Sequence, residues 1–104
     1  MDQRKTRRFA LELPLSITRS GSERVAHAGR TKNISSGGVL FTSGTEPDLG
    51  GPIEYVIALN QTGAHVVNLR CIGKVVRAER VPANASDAFE IAATLERYEF
   101  LRGR

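Results

Sequence analysis

From Phe9 onward the chain alternates: Phe9, Leu11, Leu13, Leu15 and Ile17 are separated by Ala10, Glu12, Pro14, Ser16 and Thr18. A period of two predicts a strand with one face in a core and the other in water. Pro14 has no N–H to give a ladder, so it marks an edge or a bulge. Ser20, Gly21, Ser22 and Glu23 are turn formers between extended segments and predict a hairpin connection. Residues 24–34 then read as a weaker strand of mixed polarity. Residues 35–38 break the pattern, and Val39, Leu40, Phe41 and Thr42 resume it as a short strand. Residues 43–52 hold three glycines and two prolines and read as a loop. Ile53, Tyr55, Ile57 and Leu59 alternate again, with a turn after them over residues 60–63. Residues 66–78 form a long β-branched stretch interrupted by Gly73, which predicts a bulge or a barrel bend there. A polar loop over residues 82–87 precedes the last clear strand, marked by Phe89, Ile91, Ala93 and Leu95.

Six or seven strands spaced by turns predict an all-β fold, either a closed antiparallel barrel or a small sandwich. A barrel removes the exposed edges that so many strands would otherwise present. The tail over residues 96–102 reads as at most a short helical turn. At 104 residues the chain makes one domain with a single core. Its expected organisation is a flexible basic arm over residues 1–8 followed by a β-barrel over residues 9–104.

Composition adds exclusions. A hydrophobic content of 40% and a charged content of 25% suit a soluble globular domain. The apolar runs are too short to span a membrane, and the basic N-terminus leads into no apolar segment of the secretory kind. The single Cys71 cannot form an internal disulfide; it reads as a small buried hydrophobe, and a cytoplasmic location suits it. Charge is more telling in its placement. Of the net +4, residues 1–8 carry +3, with Arg4, Lys5, Arg7 and Arg8 against Asp2. A binder of nucleic-acid polymers spreads basic charge along a face. A compact cluster at one terminus suits a small anion bearing one or two phosphates.

Two short motifs carry the remaining chemistry. Arg4 and Arg8 form R-x-x-x-R, and Asn33, Ser35 and Gly38 form N-x-S-x-x-G. Arginine offers a planar fork of donors that grips phosphate or the O6/N7 edge of guanine, and its plane stacks on bases. Lys5 and Arg7 add field and auxiliary contacts. In an extended segment Asn33 and Ser35 point to the same side, presenting an amide and a hydroxyl together. Gly37 and Gly38 can take positive φ and leave room for a ligand against the main chain, and Ser36 lies between the motif positions. Taken singly, the first motif also reads as a solubilising basic terminus and the second as a well-made turn.

In this order, flanking one β-rich segment, the two motifs resemble those of the PilZ domain family. The resemblance extends over nearly the whole chain and takes in residues 72–77 and 89–93 as later strands. It implies a bacterial receptor for cyclic di-GMP. Arg4 and Arg8 would then bind guanine and phosphate, Asn33 and Ser35 a guanine edge and nearby phosphate, and Gly38 would keep the turn open. Asn33 stands where many members have Asp, which puts affinity in question. The expected mechanism is an arm that orders over the ligand and signals to a protein partner.

Other chemistry is sparse. His27, His65 and Cys71 have no metal-ligand spacing, so no metal and no cofactor are expected. Ser16, Ser20, Ser22 and Ser43 lie in no nucleophile motif, and no G-K-[ST] follows the glycine pair. The chain is therefore not expected to be an enzyme. The rival readings are a PilZ-like module that binds only proteins, and a small barrel that binds single-stranded nucleic acid. The second is disfavoured by the scarcity of aromatics, since such barrels stack bases on several of them.

Overall fold

Burial along the first strand begins at Leu15, where the chain first enters a barrel wall. The computed structural model describes residues 10–60, 66–81 and 89–103. Its elements are β1 (Pro14–Ser20), β2 (Glu23–Ile34), β3 (Gly38–Ser43), β4 (Pro52–Asn60), β5 (Val66–Arg80), β6 (Phe89–Thr94) and β7 (Arg97–Gly103). All pairings are antiparallel. The hydrogen-bonded order β4-β1-β2-β3-β6-β5 closes through β4 and β5, which makes a six-stranded barrel with β7 added along β5. The expected all-β barrel is thus the observed fold.

Three local expectations change. The strand predicted from Phe9 starts at Pro14, and residues 10–13 belong to no strand; Phe9 lies outside the described residues. Leu11, expected inside, is exposed. Its segment is held from the side: the buried Thr31 donates its hydroxyl to the Leu11 carbonyl and accepts from the Leu13 N–H at 2.9 Å. The Thr31 N–H also donates to the Leu13 carbonyl at 2.9 Å. Pro14 sits at the first position of β1, where a missing N–H costs least. Second, the tail expected as a helical turn is the strand β7, paired with β5 from Val66 to Ile72. Third, Gly73 carries no register shift; the bulge of β5 falls between Val75 and Arg77.

Gly73 marks instead the point where β5 changes neighbours. Residues 66–72 of β5 pair with β7 and residues 75–80 with β6, while β4 runs along the other edge. A Cβ at Gly73 would collide with the backbone carbonyl of Thr94, so only glycine permits this close passage.

The barrel interior is filled from β1, β3, β4, β5 and β6 by Leu15, Ile17, Val39, Phe41, Ile53, Tyr55, Ile57, Cys71, Val75, Phe89, Ile91 and Ala93, with Val25 and Ile34 of β2 packed against them. The Phe41 and Tyr55 rings meet with centroids 5.6 Å apart, and the Tyr55 hydroxyl donates to the Thr94 carbonyl at 3.1 Å. Burying a phenol or a thiol without a counter-charge disfavours its anion. Burial accordingly pushes the Tyr55 hydroxyl up and the Cys71 thiol up to about 12, which makes Cys71 an inert core residue. Outside the wall, Thr18 donates to the Glu54 carboxylate at 2.8 Å and Arg70 joins it at 3.3 Å. The hydroxyl first and the guanidinium second hold Glu54 below its ordinary range.

Candidate functional site

The outer face of β2, β3, β6 and β5 carries an open groove of about 510 Å³. Its placement follows from cross-strand register. Asn33 is paired with Leu40, Leu40 with Ala92, and Ala92 with Arg77, so four side chains on four strands lie in one line. All four line the groove. Three interstrand steps put the outer two strands about 14 Å apart. Leu40 and Ala92 give the floor an apolar surface between two polar ends.

Two bulges aim those ends outward. In β2 the register shifts between Thr31 and Asn33, with Lys32 as the extra residue. Thr31 points into the core and strict alternation would send Asn33 inward as well. The extra residue turns Asn33 to the outer face and returns Ile34 to the core side, where it packs against the buried cluster. Lys32 itself reaches across β3 to Glu90 of β6 at 2.7 Å, and that hydrogen bond and charge raise the lysine above its ordinary value. In β5 the shift between Val75 and Arg77 does the same. Val75 is buried, Val76 and Arg77 are both exposed, and Ala78 is back against the core.

The turn over residues 35–38 closes one end. The Ser35 N–H donates to the Gly38 carbonyl at 2.9 Å, and the Leu95 N–H donates to the Gly37 carbonyl at 3.1 Å. The Ser35 hydroxyl accepts from the Gly37 N–H and donates to the Gly38 carbonyl, both at 3.3 Å. Ser35 therefore braces the turn that it also exposes to the groove. Its two side-chain bonds are long, so exchanging one for a ligand oxygen costs little. Gly37 and Gly38 do not use the positive φ that is open to them. What requires glycine at position 38 is contact: a Cβ there would lie 2.8 Å from the Ala93 carbonyl oxygen. Gly37 has open space on that side.

The structure thus brings together Asn33, Ser35, Gly37 and Gly38, while Ser36 is exposed on the turn and does not line the groove. Arg4, Lys5, Arg7 and Arg8 lie outside the described residues. Among the described residues no three His, Cys, Asp or Glu side chains gather to hold a metal ion, and no helix is long and apolar enough to cross a membrane. Comparison with known protein families decides the affiliation of this barrel: the model of the PilZ domain matches residues 2–98. The chain belongs to the PilZ domain family. No curated protein and no solved structure matches it.

The PilZ match includes both motifs and every barrel strand. The family is known as a receptor domain for cyclic di-GMP and is not known for catalysis. Within this PilZ domain, sequence reasoning missed Val76 and Arg77 as groove residues. Strict alternation buries Arg77 beside Val75, and the Val75-Val76-Arg77 stretch has no glycine to mark its bulge. The one available signal is an arginine placed among apolar strand residues, which must turn outward or find a partner.

Proposed function

We propose that this PilZ domain binds cyclic di-GMP in the groove on its β2-β3-β6-β5 face and performs no chemistry. The observation that carries the reading is the gathering of Asn33, Ser35, Gly37 and Gly38 along one groove, in a chain of this family. Asn33 offers an amide to a guanine edge, and the Ser35 hydroxyl offers an exchangeable contact to a phosphate oxygen. Among the described residues no aromatic side chain lines the groove. Stacking on the exposed face of a base therefore falls to arginine planes, which residues 4 and 8 supply.

Chain geometry favours that assignment. Leu11 and Leu13 are tied to Thr31, two residues before Asn33. Arg8 precedes Leu11 by three residues and Arg4 by seven, which gives reaches of about 10 Å and about 25 Å. The longer reach exceeds the about 14 Å between the groove's outer strands, and the shorter one serves the Asn33 end. The arm closes over bound nucleotide, with Lys5 and Arg7 adding positive field, and a protein partner reads the reshaped surface. The setting is the bacterial cytoplasm. Tyr98 and Phe100, the exposed aromatics of β7, lie outside the groove and pack edge to face on each other, 6.1 Å between centroids. They do not offer a base-stacking row across this site.

Calorimetric titration of cyclic di-GMP into wild type, Arg8→Ala and Asn33→Ala tests the reading. Binding by wild type is expected, with each substitution weakening it about tenfold or more. Hydrogen exchange should show residues 4–8 gaining protection with ligand. Absence of heat at tens of micromolar would leave a PilZ module that acts through protein contacts alone, and equal exchange with and without ligand would rule out arm closure.

A further inference from the structure

The far wall of the groove is built as deliberately as the motif wall. Val76 is an extra residue in β5, and its only structural effect on the face is to turn Arg77 outward instead of into the core. The same device turns Asn33 outward on β2. Both bulges lie at the ends of one register line, with Leu40 and Ala92 between them. A groove that presents a polar anchor at each end and apolar floor between fits a ligand with two recognisable heads.

The surroundings of Arg77 say what kind of head. Beside it Val76 and Ala92 form an apolar surface suited to the flat face of a ring. Glu79 lies 3.9 Å from the Arg77 guanidinium, while Glu90, the cross-strand neighbour of Glu79, is taken up by Lys32 at 2.7 Å. The Glu79 carboxylate offsets the pull of the arginine on a phosphate and leaves a neutral base unpenalised. The Arg77–Glu79 pair is long and well exposed, so it binds the guanidinium loosely and does not compete with a ligand. A guanidinium fork matches the O6 and N7 acceptors of guanine bidentately; adenine offers a donor in place of O6.

We propose that Arg77, turned into the groove by the bulge at Val76, reads the O6/N7 edge of a second guanine across the groove from Asn33. This rests on the cyclic di-GMP reading and assigns the other half of the same site. Arg77 makes the site selective for a ligand with guanine at both heads, and Val76 supports the ring beside it.

The test compares two ligands, cyclic di-GMP and the mixed cyclic GMP–AMP dinucleotide, on wild type and Arg77→Ala. The substituted side chain is exposed, so an unchanged melting temperature without ligand is expected and checks the fold. Wild type should prefer cyclic di-GMP, and Arg77→Ala should weaken cyclic di-GMP about tenfold or more while bringing the two ligands to near parity. Arg77→Lys should weaken it too, because an ammonium lacks the fork. Equal binding by wild type and Arg77→Ala would overturn the assignment. So would equal weakening of both ligands, which would place a phosphate at Arg77. A wild type that binds neither ligand defeats the cyclic di-GMP reading itself, and this assignment with it.

Discussion

At the scale of the residue, adjacent glycines in the 33–38 turn do unlike things. Gly38 has the backbone of β6 against the place where its Cβ would stand, whereas Gly37 faces open space. Backbone cannot swing aside as a side chain can, so Gly38→Ala must part β3 from β6 at the mouth of the groove. The expected cost is about 1–3 kcal/mol, against about 0.5 kcal/mol or less for Gly37→Ala. Denaturant unfolding of the two variants checks this, and equal stabilities would mean that the turn relaxes freely. Glycine's role at this position was legible only as a general allowance. The sequence shows that residues 37 and 38 are permissive; which one faces a neighbouring strand depends on a pairing between residues far apart in the chain.

Among the elements, the bulged strands decide what faces water. Removing Lys32 resets the register of β2 beyond Thr31, which sends Asn33 inward and Ile34 out. Loss of Ile34 packing and burial of an amide should destabilise the protein by about 2–3 kcal/mol, read from the denaturation midpoint. Ligand binding should disappear in the same variant, and retained affinity would show that Asn33 is not a contact. The strands themselves were legible, because Leu15 with Ile17, Ile53 with Tyr55 and Ile57, and Phe89 with Ile91 and Ala93 keep a period of two. Bulges were not, because an extra residue such as Lys32 or Val76 looks like any other polar or β-branched strand residue. The tail shows the limit most plainly. Residues 97–103 have no strong local preference, and β5 outlasts β6 by seven ladder positions. Unpaired β5 backbone recruits whatever chain follows, so context made β7 where local reading expected a helical turn.

For the whole molecule, closure through β4 and β5 makes a rigid wall out of which only selected features project. The groove was partly legible at this scale: the 33–38 motif and its sidedness were readable, but the opposing wall at Arg77 depends on the barrel bringing β5 around to β6. The tie made by Thr31 has a consequence for affinity that involves no ligand contact. On the proposed reading, fixing residues 11 and 13 to β2 would set the effective concentration of the arginines at the groove, as a short linker does for two joined binding modules. Thr31→Val strips the hydroxyl, leaves the Leu13 N–H and Leu11 carbonyl without that partner, and dilutes the arm into a larger volume. Affinity for cyclic di-GMP should fall in Thr31→Val, yet in an Arg8→Ala background the same substitution should change it much less. A full loss in both backgrounds would mean that Thr31 shapes the groove itself. On this view a buried threonine on the inner face of β2 governs how tightly an outer-face site closes.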